Sequence, residues 1–156
     1  MTTTGRTAKL RSKRLQSNDR DTARALFTLM AEVFEERRED LSDSYVDRLL
    51  AREDFWAIAA FAGDQVIGGL TAHTLPMTKA QSSEIFIYDI AVRRGHQRTG
   101  VGKLLVAELR ALASAAGIHE IFVCADSEDA HALDFYRALG ASGSSATMFT
   151  LGDRGP

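Results

Sequence analysis

The chain has 156 residues, 45% of them hydrophobic and 26% charged, with one cysteine and a formal net charge of −2. That composition is ordinary for a globular protein, and the length suits one domain with a single sizeable core. No apolar run approaches the ~20 residues of a membrane span, and the polar N-terminus lacks a secretory signal's apolar stretch. The expectation is therefore a cytoplasmic protein with no membrane partner. The charge is uneven: residues 1–20 carry six basic side chains and one acid, whereas the other 136 carry 13 and 20. An acidic body favours a cationic small molecule and argues against nucleic acid, which needs a basic face. Cys124 alone excludes an internal disulfide and a thiolate zinc cluster, and no pair of histidines has metal-ligand spacing, so no metal is expected. In Ile121-Phe122-Val123-Cys124-Ala125 the cysteine reads as a buried strand residue.

Residues 1–7 read as a disordered tail and 8–156 as one domain. Lys9 to Leu15 suggests a first, irregular strand. Ser17-Asn18-Asp19 offers N-cap chemistry for a helix over Thr22 to Glu36, with Ala23, Leu26, Phe27, Met30 and Phe34 at helical spacing. A charged loop, Glu35 to Asp40, leads to a helix from about Ser42 to Ala51. Phe55 to Phe61 and Gln65 to Leu75 read as strands joined by a tight hairpin at Ala62-Gly63-Asp64, with Pro76 ending the second. Ser83 to Val92 continues the sheet. A helix from Gly100 to Ala116 stops at Gly117, and a strand covers Glu120 to Ala125. Asp126 or Ser127 then caps a helix ended by Gly140, and Ser145 to Leu151 is a weak last strand. The order is mixed α/β, without repeat or linker.

The apolar run Ile85 to Val92 passes through a basic loop into Gly100-Val101-Gly102-Lys103 and a helix. A strand end followed by a glycine-containing helix start presents unpaired backbone N–H groups, an anion site suited to pyrophosphate. The spacing is wrong for a phosphate-binding P-loop, because Val101 follows Gly100 where lysine is needed. Gly95, Gly100 and Gly102 also fail the dinucleotide pattern. What remains is Gln97-x-x-Gly100-x-Gly102 directly after a strand. At these residues the chain resembles the GNAT superfamily of N-acetyltransferases, and its element order is that of the family's fold. This is a central, mostly antiparallel sheet, splayed between its fourth and fifth strands and flanked by helices.

The resemblance implies acetyl-CoA as co-substrate. Its pyrophosphate falls to the backbone of Gln97, Arg98, Thr99, Gly100, Val101, Gly102 and Lys103, and its pantetheine arm to Ile90, Ala91 and Val92, where a bulge splays the strand. Asp89 sits in the middle of an apolar run, unexpected for an aspartate unless it is solvated or paired. We read it as the acidic residue of the catalytic site, either removing the amine proton or holding the ammonium. A regular strand would send Tyr88 and Asp89 to opposite faces, and a bulge could bring both close. Tyr136, in Asp134-Phe135-Tyr136-Arg137-Ala138-Leu139-Gly140, matches the family tyrosine that protonates the leaving thiolate. Each of the four histidines reads first as structural, although His96 could touch the cofactor and His73 could line the acceptor cleft.

Within the superfamily, Ser83-Glu84-Ile85-Phe86-Ile87-Tyr88-Asp89-Ile90-Ala91-Val92 resembles a segment of the type I aminoglycoside 3-N-acetyltransferases. Ala59-Ala60-Phe61, Leu75-Pro76 and Ala125-Asp126 support it, while Ser127 to Ala130 lacks the proline of those relatives and the C-terminal strand matches poorly. The resemblance implies an aminoglycoside acceptor and antibiotic resistance by direct acetylation of an amine, with the 3-amino group of 2-deoxystreptamine expected. A polycation calls for converging carboxylates, and Glu84, Tyr88, Asp126 and Asp129 are the expected substrate contacts beside Asp89. Glu35, Glu36, Glu39 and Asp40 could close over the other side. Acetylation of a polyamine, protein N-terminus or lysine, or a catalytically silent acyl-CoA-binding module, are the alternatives. The oligomeric state is open, a homodimer included.

Overall fold

A computed structural model describes residues 8–153. The chain divides into two compact units, one ending at Cys124 and the other beginning at Ala125. The expected tail over residues 1–7 lies outside the described residues.

The first unit is a five-stranded sheet with helices on both faces. Its strands are β1 (Leu10–Arg14), β2 (Phe55–Ala62), β3 (Gln65–Pro76), β4 (Ser83–Val92) and β5 (Glu120–Val123), neighbours in that order. All pairings are antiparallel except β4 with β5, which is parallel because α3 (Val101–Ala115) crosses over between them. The mixed, mostly antiparallel sheet expected from the sequence is the one observed. The strand bounds agree within two residues, and those of β4 agree throughout.

Alternation along the strands builds two cores. On one face Ala57, Ala59, Phe61 and Ala91 pack under α1 (Arg20–Val33) and α2 (Asp43–Ala51), against Ala23, Leu26, Leu29 and Val46. On the other, Ile58, Ile67, Leu70, Ile85 and Ile87 meet Val101, Leu105 and Leu109 of α3. Each such Leu or Ile, removed from water, contributes roughly 1.5–3 kcal/mol before entropy is counted. α1 seats closely on the sheet because residue 69 has no side chain: a Cβ there would stand 2.2 Å from Leu26 Cδ1. The basic residues of β1 are locally engaged, Lys13 with Asp19 and the Arg11 guanidinium 4.2 Å from the Phe61 ring centre. That fits a solvated edge strand, on which charged side chains discourage strand addition.

α1 ends at Val33 rather than running to Glu36, and its termination is a Schellman motif. Glu35 takes the left-handed conformation (φ 55°), its N–H bonds to Glu32 O, and the Glu36 N–H reaches back to Ala31 O. A non-glycine residue there costs roughly 1–2 kcal/mol. Glu35 also meets Arg94 at 2.8 Å, linking this turn to the loop after β4. Asp19 precedes α1 but spends its carboxylate on Gln16 N–H and Lys13 instead of capping the helix.

The second unit holds α4 (Ala130–Ala138). The sequence suggested Asp126 or Ser127 as its cap. The cap is Asp129, whose carboxylate accepts from the Ala132 N–H at 3.0 Å. Asp126 instead closes a turn two residues on, accepting from the Glu128 N–H at 2.9 Å. The expected strand over Ser145 to Leu151 is absent: these residues pair with nothing among the described residues, leaving Met148 and Phe149 more than four-fifths exposed. A weak strand preference has no structural consequence without a partner strand. Cys124 is exposed, not buried, because β5 stops at Val123.

Candidate active site

The chemistry gathers around β4. Opposite β3, the register passes from Ala72↔Ile87 to Thr71↔Asp89, leaving Tyr88 as an extra residue on β4. This bulge shifts the alternation by one. Ile85 and Ile87 point into the α3 core and Ile90 and Val92 pack against that same core, whereas Ala91 belongs to the core under α1 and α2. Between them Tyr88 and Asp89 fall on one face, the face of Glu84 and Phe86. The bulge thus does what a regular strand cannot, presenting the phenol and the carboxylate together.

Asp89 is half-buried and receives no hydrogen bond from the described residues. Its pKa is raised, first by loss of hydration and then by the negative charge of Glu36. A carboxylate held away from water beside another carboxylate lacks the cation that would offset its burial. Glu36 closes the Schellman turn of α1, one residue after the Glu35 that Arg94 holds. Of the acidic loop residues named from sequence, Glu36 is the one that acts electrostatically on Asp89. The arrangement suits a group that captures an ammonium and then accepts a proton from it, since a raised pKa makes the carboxylate a stronger base.

β5 pairs β4 only over Glu84 to Ile87, in register with Glu120 to Val123. Beyond Ile87 the β5 side of β4 has no strand partner among the described residues, so the two strands part where Ile90, Ala91 and Val92 begin. Ala91 is buried and Ile90 and Val92 are partly buried against the cores, while their backbone on this side lacks a strand partner among the described residues. Arg93 N–H still bonds Ile67 O at 2.8 Å, and a 3-10 turn over Arg94–His96 follows.

The loop then reverses through Arg98 (φ 61°) and Gly100 (φ 89°) into α3. Gly100 is the N-cap and no side chain caps the helix, so the first-turn N–H groups of Val101, Gly102 and Lys103 have no intrahelical partner. Nothing lies within 4 Å of where a Gly100 Cβ would be, so the space beside the helix start is open. The Val101 side chain is fully buried and pins the helix start to the sheet. The Lys103 side chain is exposed in the first turn. Two predicted contacts have structural duties of their own: Gln97 Nε2 donates to Val92 O at 3.0 Å, and Thr99 Oγ1 donates to His96 O. These residues fit a pyrophosphate, with backbone donors and the helix dipole at the N-terminus of a 15-residue helix.

Glu84, on the same face of β4, is partly exposed. His73 lies across from Phe86 in register and its ring meets Tyr88 edge-on at 5.8 Å, on the face of the sheet that carries Glu84. In the second unit Asp126 and Asp129 each devote one oxygen to a backbone N–H. Tyr136 is half-buried on α4, and burial followed by the charge of Asp129 raises its phenol pKa, so it stays protonated at neutral pH. Among the described residues no group of histidine, cysteine and carboxylate side chains could hold a metal ion. Among the described residues no helix is long and apolar enough to cross a membrane. The sequence reading did not single out Arg94, whose only signal was its place in a basic loop.

Comparison with curated proteins finds no match. Solved structures match closely. An aminoglycoside acetyltransferase from an uncultured soil metagenomic sample, in complex with trehalose, is 31% identical with a TM-score of 0.86, covering 92% of this chain and 97% of that one. Its complex with sisomicin aligns at 29% identity with the same TM-score and coverage. A second aminoglycoside acetyltransferase from an uncultured soil metagenomic sample is 30% identical, with a TM-score of 0.88 over 93% of this chain and 99% of that one. The model of the acetyltransferase (GNAT) family matches residues 23–141, a stretch that includes the bulged strand, the anion loop and Tyr136. The chain belongs to the GNAT family of acetyltransferases.

Proposed function

We propose that the protein transfers the acetyl group of acetyl-CoA to an amine of an aminoglycoside, the 3-amino group of 2-deoxystreptamine being the assigned position. The observation that carries this is Asp89: a half-buried carboxylate with no hydrogen-bond donor, raised in pKa and facing Glu36, is a receptor for a cation. The aminoglycoside acetyltransferases about 30% identical to this chain over nearly its whole length support the substrate class. When bound, acetyl-CoA supplies an activated acyl group and a thiolate leaving group. The Val101–Lys103 N–H groups hold its pyrophosphate, and the unpaired edge of β4 from Ile90 to Val92 aligns its arm. Asp89 removes the amine proton once Glu36 and Glu84 have drawn the polycation in. Tyr136 is assigned the proton for the departing sulfur. Acetylation removes a positive charge and a donor from the drug, so the biological consequence is resistance.

Two experiments test this. Expression in a susceptible bacterium should raise the tolerated gentamicin concentration, and NMR of the enzymatic product should show the acetyl group on the 3-amino nitrogen. Acetylation elsewhere on the ring would discard the position but keep the substrate class. No protection and no product would discard the class.

A further inference from the structure

The acceptor face carries a feature that acid–base chemistry does not require. Five rings form a continuous run across four strands: Phe55 to His73 (5.5 Å between centroids), His73 to Tyr88 (5.8 Å), Tyr88 to Phe86 (5.9 Å) and Phe86 to Phe122 (5.0 Å). The run starts in the core, where Phe55 is buried, and ends in water, with Tyr88 63% and Phe122 39% exposed. The last pair is stacked at 17° because Phe86 and Phe122 are parallel register partners. One exposed aromatic residue needs no explanation. A contiguous row is different, because it keeps apolar ring surface in water on the face that also carries Asp89 and Glu84.

We infer that Tyr88, Phe86 and Phe122 form the surface on which the saturated rings of the acceptor stack, so that the enzyme selects ring-built polyamines over linear ones. This rests on the proposed aminoglycoside function and names the contact that would give it selectivity. The chemistry is specific. Carbon-bound hydrogens next to ammonium-bearing carbons are electron-poor, and aromatic faces present negative charge to them. Carboxylates alone capture any polycation, a flexible chain included. Carboxylates flanking a fixed row of rings favour a rigid acceptor that can meet both at once, since less freedom is lost on binding. A protein partner on this row would be expected to avoid half-buried carboxylates lacking donors, whereas a polycationic ring satisfies them.

The test compares KM and kcat for gentamicin and for spermidine across Phe122→Leu, Tyr88→Leu and Tyr88→Phe. Leucine keeps the apolar bulk and the strand while removing the ring. Each leucine variant should raise KM for gentamicin about 5- to 10-fold with little change in kcat, the size expected from one lost ring contact. The KM ratio of spermidine to gentamicin should fall accordingly, and Tyr88→Phe, which keeps the ring, should recover most of the lost affinity. Equal KM increases for both acceptors, or unchanged values, would overturn the inference while leaving the acetyltransferase reading intact. A change of oligomeric state on sedimentation without a KM change would also overturn it, assigning the row to a protein contact. If the wild-type enzyme turns over no ring amine, the functional reading fails first and the inference fails with it.

Discussion

Gly69→Ala is a small substitution with a large expected effect. A Cβ at this position would stand 2.2 Å from Leu26 Cδ1, 2.8 Å from Leu26 Cδ2 and 2.7 Å from the backbone oxygen of Ile58. Leu26, on α1, is fully buried, and the Ile58 carbonyl is backbone of the β2–β3 pair that no side-chain rotation moves aside. α1 must therefore lift from the sheet. Overpacking of this kind costs roughly 1–3 kcal/mol, and the partial exposure of Leu26 and Leu29 brings the total towards the upper end. Removing a strand glycine returns only ~0.5 kcal/mol through the unfolded chain. With a urea dependence of about 2 kcal/mol/M, a net loss of about 2.5 kcal/mol lowers the unfolding midpoint by roughly 1.2 M. Gly95→Ala is the control, because nothing lies within 4 Å of that position, and its midpoint should move by under about 0.5 kcal/mol equivalent. Equal midpoints for the two variants would show that α1 is not seated on Gly69, and the path from packing to the placement of Glu36 would fail with it.

Three further outcomes are expected. Asp89→Asn should lower kcat about 100-fold or more with acetyl-CoA affinity retained; a near-normal rate would end its assignment as the base. Glu36→Gln should move the acid limb of the pH–rate profile to lower pH, because Glu36 holds the Asp89 pKa up and a less basic carboxylate stays ionised further into acid; a shift the other way, or none, would contradict their electrostatic contact. Gly100→Trp should abolish acetyl-CoA binding by calorimetry, since a side chain at φ 89° is strained and fills the open space beside the start of α3; unchanged affinity would mean that the anion site lies elsewhere.

The parts of this design visible in the sequence are those governed by local rules. Ser83–Val92 carries strand-forming residues between polar boundaries, and the glycine-containing helix start follows at a spacing that admits few readings. The side-chain directions around Asp89 were not visible in the same way. Alternation sends Tyr88 and Asp89 to opposite faces, and only the pairing with β3 reveals the extra residue that realigns them. Likewise Phe86 and Phe122 are far apart in sequence and become neighbours through parallel register. The α4 cap was misjudged because several candidates competed: Asp126, Ser127 and Asp129 each offer a capping oxygen, and the position of the first helical turn chooses among them. The left-handed Glu35 was hidden because glycine is the usual sign of such a terminus, and here an ion pair with Arg94 accompanies a glutamate instead.

The most direct test is thiol release from acetyl-CoA by purified protein offered gentamicin, kanamycin, spermidine or a lysine peptide in turn. Turnover with the aminoglycosides at a KM well below that for spermidine, and none with the peptide, is the predicted result. Turnover confined to the polyamine or the peptide would contradict the acceptor assignment while keeping the family. Acetyl-CoA binding without turnover on any acceptor would contradict the role given to Asp89.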